Sequence, residues 1–196
     1  MSTELAGKKV VIVIAHDQFR DEEFAQPHAA LKLAGADITI ASINPGKCYG
    51  SRGSIVHASM ALAEASTKHW DAVVFAGGDG GEVYISDLTA HILIRQAVED
   101  GAVLGAICMA PTILAHAGVL KGVDATVYPY YEEEIKRYGA NLVDYAVVEG
   151  ANTVNGAPII TGNGPAASFA FGQAVVNALR GPLDPFADML KGPRPY

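Results

Sequence analysis

The sequence has few cysteines, no basic run and no long apolar stretch, and each lack excludes a class of protein. Two of the 196 residues are cysteine, Cys48 and Cys108, too few for the disulfide framework of a small secreted domain. No apolar stretch reaches the roughly 20 residues that cross a bilayer, and residues 1–9 carry no apolar signal region. We therefore expect a cytoplasmic protein without membrane contact, with free thiols and with Cys48 at a surface or interface.

Charge and composition narrow the class further. The net charge is −7 and no run of lysine or arginine occurs, so we expect no nucleic-acid partner. Half of the residues are hydrophobic and 18% are charged, as in ordinary globular proteins. The length fits one domain. We predict a single α/β domain over residues 1–180, followed by a proline-rich tail over residues 181–196.

Apolar runs alternate with amphipathic stretches, which predicts a mostly parallel sheet covered by helices on both faces. A turn-rich segment, residues 44–57, predicts a hairpin or an excursion. The main predicted strands are 9–15, 36–43, 71–76 and 103–107, and the main predicted helices are 21–34, 87–100, 109–117 and 165–179. Sites in such sheets form at the carboxyl ends of strands, where three turns (residues 15–23, 76–82 and 107–111) would meet if their strands are neighbours.

The turn around Cys108 has the form small-x-Cys-x-small. It reads Ala106-Ile107-Cys108-Met109-Ala110, the nucleophile-elbow pattern with alanines in place of glycines. Such a turn holds its central residue in a strained backbone conformation and projects the side chain out of the sheet. We expect the helix that follows to lower the thiol pKa. The alternative is that Cys108 is a small buried hydrophobe.

The other two turns offer an acid and a glycine-rich loop. Of Asp21, Glu22 and Glu23, we expect two to be solvated and one to face the thiol, where its pKa would rise and its proton could bind sulfur. In residues 77–81, Gly-Gly-Asp-Gly-Gly, glycines let backbone N–H groups approach a ligand oxygen. This loop lacks the Lys-Ser/Thr of a phosphate-binding loop, and a plain tight turn is the alternative.

These turns together resemble the ThiJ/PfpI family. The segments that carry the resemblance are VVIVIAHDQFRDEEFAQP, VVFAGGDGG, GAICMAPTILAHAGVLKG and IITGNGPAASFAFGQAVVNAL. The resemblance implies a flavodoxin-like three-layer sandwich of the class I glutamine amidotransferase-like type, in a homodimer or larger homo-oligomer. It also implies that Cys108 is the nucleophile, that Glu23 binds it, with Glu22 as second choice, and that Gly78 and the Met109 N–H form an oxyanion site. Glu82 falls where protease-type members place an acid that reaches a neighbouring subunit's site.

The sequence departs from the family where histidines are expected. Met109 follows the cysteine, where protease-type members have histidine, and Tyr128 stands where other members have a histidine before proline. His16, in the first site turn, could approach the cysteine instead. A peptidase needs a base for its nucleophile and an acid for the leaving amine, so these departures weaken a protease interpretation.

The family activity that best fits a Cys–Glu pair is on small reactive carbonyls such as 2-oxoaldehydes. The resemblance then implies a cofactor-free glyoxalase or a deglycase of early glycation adducts. Two alternatives remain: a protease, amidase or hydratase-like hydrolase that uses Tyr128 or His16, and a non-enzymatic redox sensor or stress chaperone with an oxidisable Cys108. Acidic residues and His16 near the turns fit no metal-ligand spacing, so we expect no metal.

Overall fold

The computed structural model describes residues 4–181, and its centre is a seven-stranded sheet in the order β11-β12-β8-β7-β1-β3-β6. Every neighbouring pair in this sheet is parallel except β11 and β12. The strands are β1 Lys9–Val13, β2 Asp17–Phe19, β3 Asp37–Ser42, β4 Gly46–Gly50, β5 Ile55–Ala58, β6 Met60–Ala61, β7 Ala72–Phe75, β8 Val103–Ile107, β9 Asp124–Ala125, β10 Asn141–Leu142, β11 Val147–Ala151 and β12 Pro158–Gly162. The helices are α1 Asp21–Ala34, α2 Leu62–Ala65, α3 Leu88–Glu99, α4 Pro111–His116, α5 Glu132–Arg137 and α6 Ser168–Arg180.

The three central strands are buried because helices cover the sheet. All residues of β7 and β8 are buried, as are all but the first of β1, as the apolar runs predict for parallel strands. Helix α1 packs on α6, while α3 packs on α2 and α4. The predicted mostly parallel α/β sandwich is confirmed. Because β8, β7 and β1 are neighbours, the turns that follow them meet at one edge, as expected.

A small three-stranded sheet, β2-β4-β5, stands beside this edge. It contains the predicted hairpin, and Asp21 fastens it to the start of α1 by accepting the N–H groups of Arg52 at 2.7 Å and Ser54 at 2.8 Å. Burial raises the pKa of Asp21, but the hydrogen bonds from Ser54 and Arg52 outweigh it and keep the pKa below its usual value. The expectation that two of the three acids are merely solvated is therefore wrong for Asp21, which is buried.

Other expectations also need correction. Cys48 is fully buried in the core rather than at a surface, because β4 turns this side chain inward. Helix α4 begins at Pro111 rather than residue 109, since the turn after β8 takes the three residues 108–110. The 3₁₀ helix Asp79–Tyr84 was not predicted, and the proline-rich tail lies outside the described residues except for Gly181. Within residues 4–181, no helix is long and apolar enough to cross a membrane.

Candidate active site

Cys108 sits in a strained turn directly after β8. Its φ is +64°, and Gln18 is the one other non-glycine with positive φ in the described chain. This left-handed conformation costs a cysteine roughly 1–3 kcal/mol. Two hydrogen bonds hold it: the Cys108 N–H donates to Gly162 O at 2.9 Å, and its carbonyl accepts the Tyr128 N–H at 2.8 Å. The backbone at the thiol is therefore fixed by the neighbouring strand β12 and by the turn after β9.

Glu23, in the first turn of α1, is the acid that faces the thiol. Its side chain has no exposed surface. A Cβ added to Gly77 would lie 2.5 Å from Glu23 Oε2 and 2.7 Å from Cys108 Cβ, so both side chains lie directly against this glycine. Glu22 turns away instead, and its Oε2 lies 2.8 Å from Arg20 Nε. The structure thus brings Glu23, and not Glu22, to the cysteine.

The Glu23 carboxyl is held in an environment that favours its neutral form. Neither of its oxygens makes a hydrogen bond of ordinary geometry with the described residues. Burial raises its pKa to about 7, against smaller opposing effects from the Cys108 thiol, the Arg20 charge and the Gly77 N–H. A carboxyl with this pKa can accept or donate a proton near neutral pH.

The thiol pKa is raised, so the expectation of a lowered value is wrong. Burial and then the Glu23 carboxylate raise the pKa of Cys108 to about 12, although the N–H groups of Gly78 and Met109 act in the opposite direction. The expected backbone effect is present, but burial and a neighbouring negative charge outweigh it. At neutral pH the Cys108 thiol therefore keeps its proton, even when Glu23 is ionised.

One of the two backbone N–H groups near the sulfur belongs to Gly78, a position where only glycine fits. Its φ is +100°, and a Cβ there would lie 2.4 Å from both Arg20 N and Gln18 O, so the position admits only glycine. The Gly78 and Met109 N–H groups both act on the Cys108 sulfur. Both donors thus lie beside the sulfur, one from the turn after β7 and one from the turn after β8.

A cavity of about 560 Å³ opens onto the pair. Two of the accessory candidates, Tyr128 and Glu82, line it. His16 does not: it lies in a separate cavity of about 350 Å³, where its Nδ1 is 2.8 Å from Asp17 Oδ2. The larger cavity is lined by Arg20, Glu23, Ser51, Gly78, Asp79, Glu82, Cys108, Met109, Tyr128, Tyr130, Tyr131 and Pro165, so among described residues no histidine borders it.

Sequence reasoning missed Tyr131. Its hydroxyl donates to Glu82 Oε1 at 2.7 Å. Burial, the bond to Glu82 and nearby negative groups raise the pKa of this phenol, so it stays a donor. All three tyrosines of the segment Tyr-Pro-Tyr-Tyr line the cavity, and nothing in the segment identifies which of them bonds to Glu82.

Comparison with known proteins places the chain in a family. The model of the DJ-1/PfpI family matches residues 8–178. The chain belongs to this family. The resemblance predicted from the sequence is confirmed, and the DJ-1/PfpI site turns all fall inside the matched range.

Individual members of the DJ-1/PfpI family cover most of the chain. An uncharacterised protein of Methanocaldococcus jannaschii is 35% identical over 89% of this chain and 84% of its own length. A protein of Thermococcus kodakarensis named as a deglycase is 32% identical over 74% of this chain and 87% of its own. The crystal structure of a ThiJ/PfpI domain protein from Brachyspira murdochii has a TM-score of 0.81 at 26% identity, covering 93% of this chain and 100% of that one. The flavodoxin-like fold is therefore shared with solved family members.

Proposed function

We propose that this protein is a cysteine-dependent enzyme that converts small 2-oxoaldehydes to 2-hydroxyacids without a cofactor, and that it also acts on early glycation adducts of such aldehydes. The observation that carries the proposal is the fully buried Glu23 carboxyl, with a pKa of about 7, against Cys108. The name of the Thermococcus relative, a deglycase, points in the same direction.

The first step is attack by sulfur on the aldehyde carbon. Because the thiol pKa is raised, Glu23 carboxylate removes the thiol proton as the S–C bond forms, which is general-base activation of a nucleophile. The carbonyl electron pair moves onto oxygen, beside the Gly78 and Met109 N–H groups. Glu23 then returns the proton to this oxygen and leaves a hemithioacetal.

The second step moves hydrogen between two carbons. Glu23 carboxylate takes the proton from the carbon bound to sulfur, and the electron pair forms an enediolate. Glu23 delivers that proton to the neighbouring carbon, whose oxygen takes the hydroxyl proton from the first carbon. The product is a thioester. Water then adds to it, the C–S bond breaks, and the 2-hydroxyacid leaves with the thiol restored. One carbon is oxidised and the other reduced, so no external oxidant is needed.

Other activities have less support at this site. A protease or amidase needs a base and an acid for an amine leaving group, and no histidine borders the cavity among described residues. A peroxide sensor reacts through thiolate, a form that burial and the Glu23 charge disfavour because they raise the pKa of the Cys108 thiol. Tyr128 does line the cavity, so a hydratase-like reaction that uses its hydroxyl is the stronger of the alternatives.

Lactate formation from methylglyoxal tests the proposal directly. Cys108→Ala is expected to abolish turnover, and Glu23→Gln is expected to lower kcat by about 10²–10⁴-fold, the usual contribution of a general acid–base. The matched control is Glu22→Gln, which changes the adjacent acid and is expected to retain turnover because Glu22 pairs with Arg20. Full methylglyoxal turnover by Cys108→Ala would refute the proposal.

The proposed partners are this carbonyl substrate and further copies of the chain. The resemblance supports a homodimer or a larger homo-oligomer. Light scattering after size exclusion tests the second part, since the monomer mass is 20.5 kDa. A monomer at working concentration would contradict it.

A further inference from the structure

Tyr131 and Glu82 join two separate segments around the cavity of Cys108. Glu82 lies in the 3₁₀ helix after β7, and Tyr131 ends a 3₁₀ turn between β9 and α5. Both side chains line the cavity that contains the thiol, and the phenol donates to the carboxylate at 2.7 Å. We call this hydrogen-bonded pair the Tyr131–Glu82 bridge. It links residues 49 positions apart, so it closes the cavity wall between two segments that are not consecutive.

The bridge holds the aromatic ring in a fixed place. The Tyr131 ring also meets Tyr130 edge-to-face, with centroids 5.1 Å apart. Tyr130 is 83% exposed, so this contact alone leaves both rings free to swing toward solvent. A hydrogen bond to an ionised carboxylate is stronger than one to a neutral acceptor. Tyr131 also packs, half-buried, against the hydrophobic core, and the bond to Glu82 adds the polar contact that keeps its ring at the cavity.

We propose that the Tyr131–Glu82 bridge determines substrate size by keeping the Tyr131 ring in the cavity that leads to Cys108. Small carbonyl compounds reach the sulfur beside the ring, whereas compounds with a bulky group next to the reacting carbon require the ring to move. This inference rests on the proposed function for its substrates. The access of a reagent to the Cys108 thiol, on which the inference depends, can be measured without any catalysis.

The test uses two alkylating reagents with the same reacting carbon and no charge. Iodoacetamide is small, and 2-iodo-N-phenylacetamide carries a phenyl ring. Alkylation of Cys108 is followed by peptide mass in the intact chain, so that buried Cys48 is read separately. Because neither reagent is charged, removal of the Glu82 charge does not by itself attract or repel one of them.

Tyr131→Phe keeps the ring and removes the donor, and Glu82→Ala removes the acceptor. Each is expected to raise the rate with the phenyl reagent about tenfold, while the iodoacetamide rate changes less than about twofold; tenfold corresponds to about 1.4 kcal/mol. Glu82→Gln keeps an acceptor oxygen and is expected to restore much of the exclusion. Tyr130→Phe removes the neighbouring hydroxyl and is expected to leave the ratio of the two rates unchanged.

Non-additivity identifies the bridge. If the two residues act as one unit, the double variant Tyr131→Phe/Glu82→Ala has the same rate ratio as either single variant. The inference is overturned if Tyr131→Phe leaves the ratio of the two alkylation rates unchanged. It is also overturned if the double variant changes this ratio by the product of the two single effects.

A parallel assay separates this inference from the proposed function. In the same variants, kcat/KM for phenylglyoxal relative to methylglyoxal is expected to rise as the alkylation ratio does. If the wild type turns over neither aldehyde but its alkylation ratios behave as expected, the proposed function fails and the bridge stands. If methylglyoxal is turned over but the ratios do not change, the bridge fails and the proposed function stands.

Discussion

Replacing Glu23 with glutamine removes a buried acid. We expect Glu23→Gln to be more stable than the wild type at alkaline pH and to lose activity. The folded protein raises the carboxyl pKa from 4.5 to about 7. The folded state therefore binds the proton more tightly than the unfolded chain, and the free energy of unfolding falls as pH rises through this window. At about 1.4 kcal/mol for each unit of pKa, ionisation of Glu23 costs the wild type about 3 kcal/mol above pH 7.

The assay is urea unfolding of the wild type and Glu23→Gln at a series of pH values and one protein concentration. Glutamine does not ionise, so the difference between the two unfolding free energies isolates Glu23. That difference is expected to be flat below pH 4.5, to move by about 3 kcal/mol in favour of Glu23→Gln up to pH 7, and to be flat above it.

A second group, the half-buried His28, changes stability with pH in the opposite direction. Burial and the nearby Lys32 lower the pKa of His28 from 6.5, so this histidine reduces stability as pH falls below 6.5. It is present in both proteins and cancels in the difference. Glu99→Gln, the same change at an exposed residue, serves as the matched control. A difference for Glu23→Gln that does not change with pH would refute our description of the site.

Three further predictions follow from the same geometry. The kcat/KM of the proposed reaction is expected to rise with pH through about 7, as Glu23 ionises, and a profile that falls across this range contradicts Glu23 as the base. Gly77→Ala places a methyl group 2.5 Å from the Glu23 carboxylate and is expected to cost about 1–3 kcal/mol in urea unfolding, with loss of turnover; an active, equally stable variant would disprove the contact. Asp21→Asn weakens two hydrogen bonds to backbone N–H groups and is expected to cost about 1–2 kcal/mol at pH 7. This loss should shrink as pH falls below 3.8, because the Asp21 pKa is lowered in the folded state, and a loss that does not depend on pH would count against the ionised bond.

The main elements could be predicted because their signals are local. The runs that form β1, β7 and β8 are buried on both faces, so their apolar character is continuous and marks them in the sequence. The turn pattern marked Cys108 as a candidate but also fitted a small buried hydrophobe, and the other two turns and the family resemblance favoured the nucleophile. Glu23 could be preferred to Glu22 only through the family resemblance, since adjacent residues on a helix carry no mark of which side faces the thiol.

The direction of the thiol pKa could not be predicted, because it depends on burial by residues distant in the sequence. The turn pattern indicates N–H groups near sulfur, and those of Gly78 and Met109 do act as expected. What reverses the shift is the desolvation of Cys108 together with the Glu23 charge. The burial of Cys48 and the Tyr131–Glu82 bond could not be predicted for the same reason, since each depends on how a segment packs against residues distant in the sequence.

The order of the central sheet also links chemical reactivity to completion of folding. Strand β7 separates β1 from β8, so Glu23 and Cys108 come together only after both parallel pairs have formed. Before that, the thiol has an ordinary pKa near 9, and afterwards burial and Glu23 raise it to about 12. An incompletely folded chain thus exposes a more reactive thiol than the finished protein does. Newly made or damaged molecules of this protein would therefore be the ones that electrophiles modify first at Cys108.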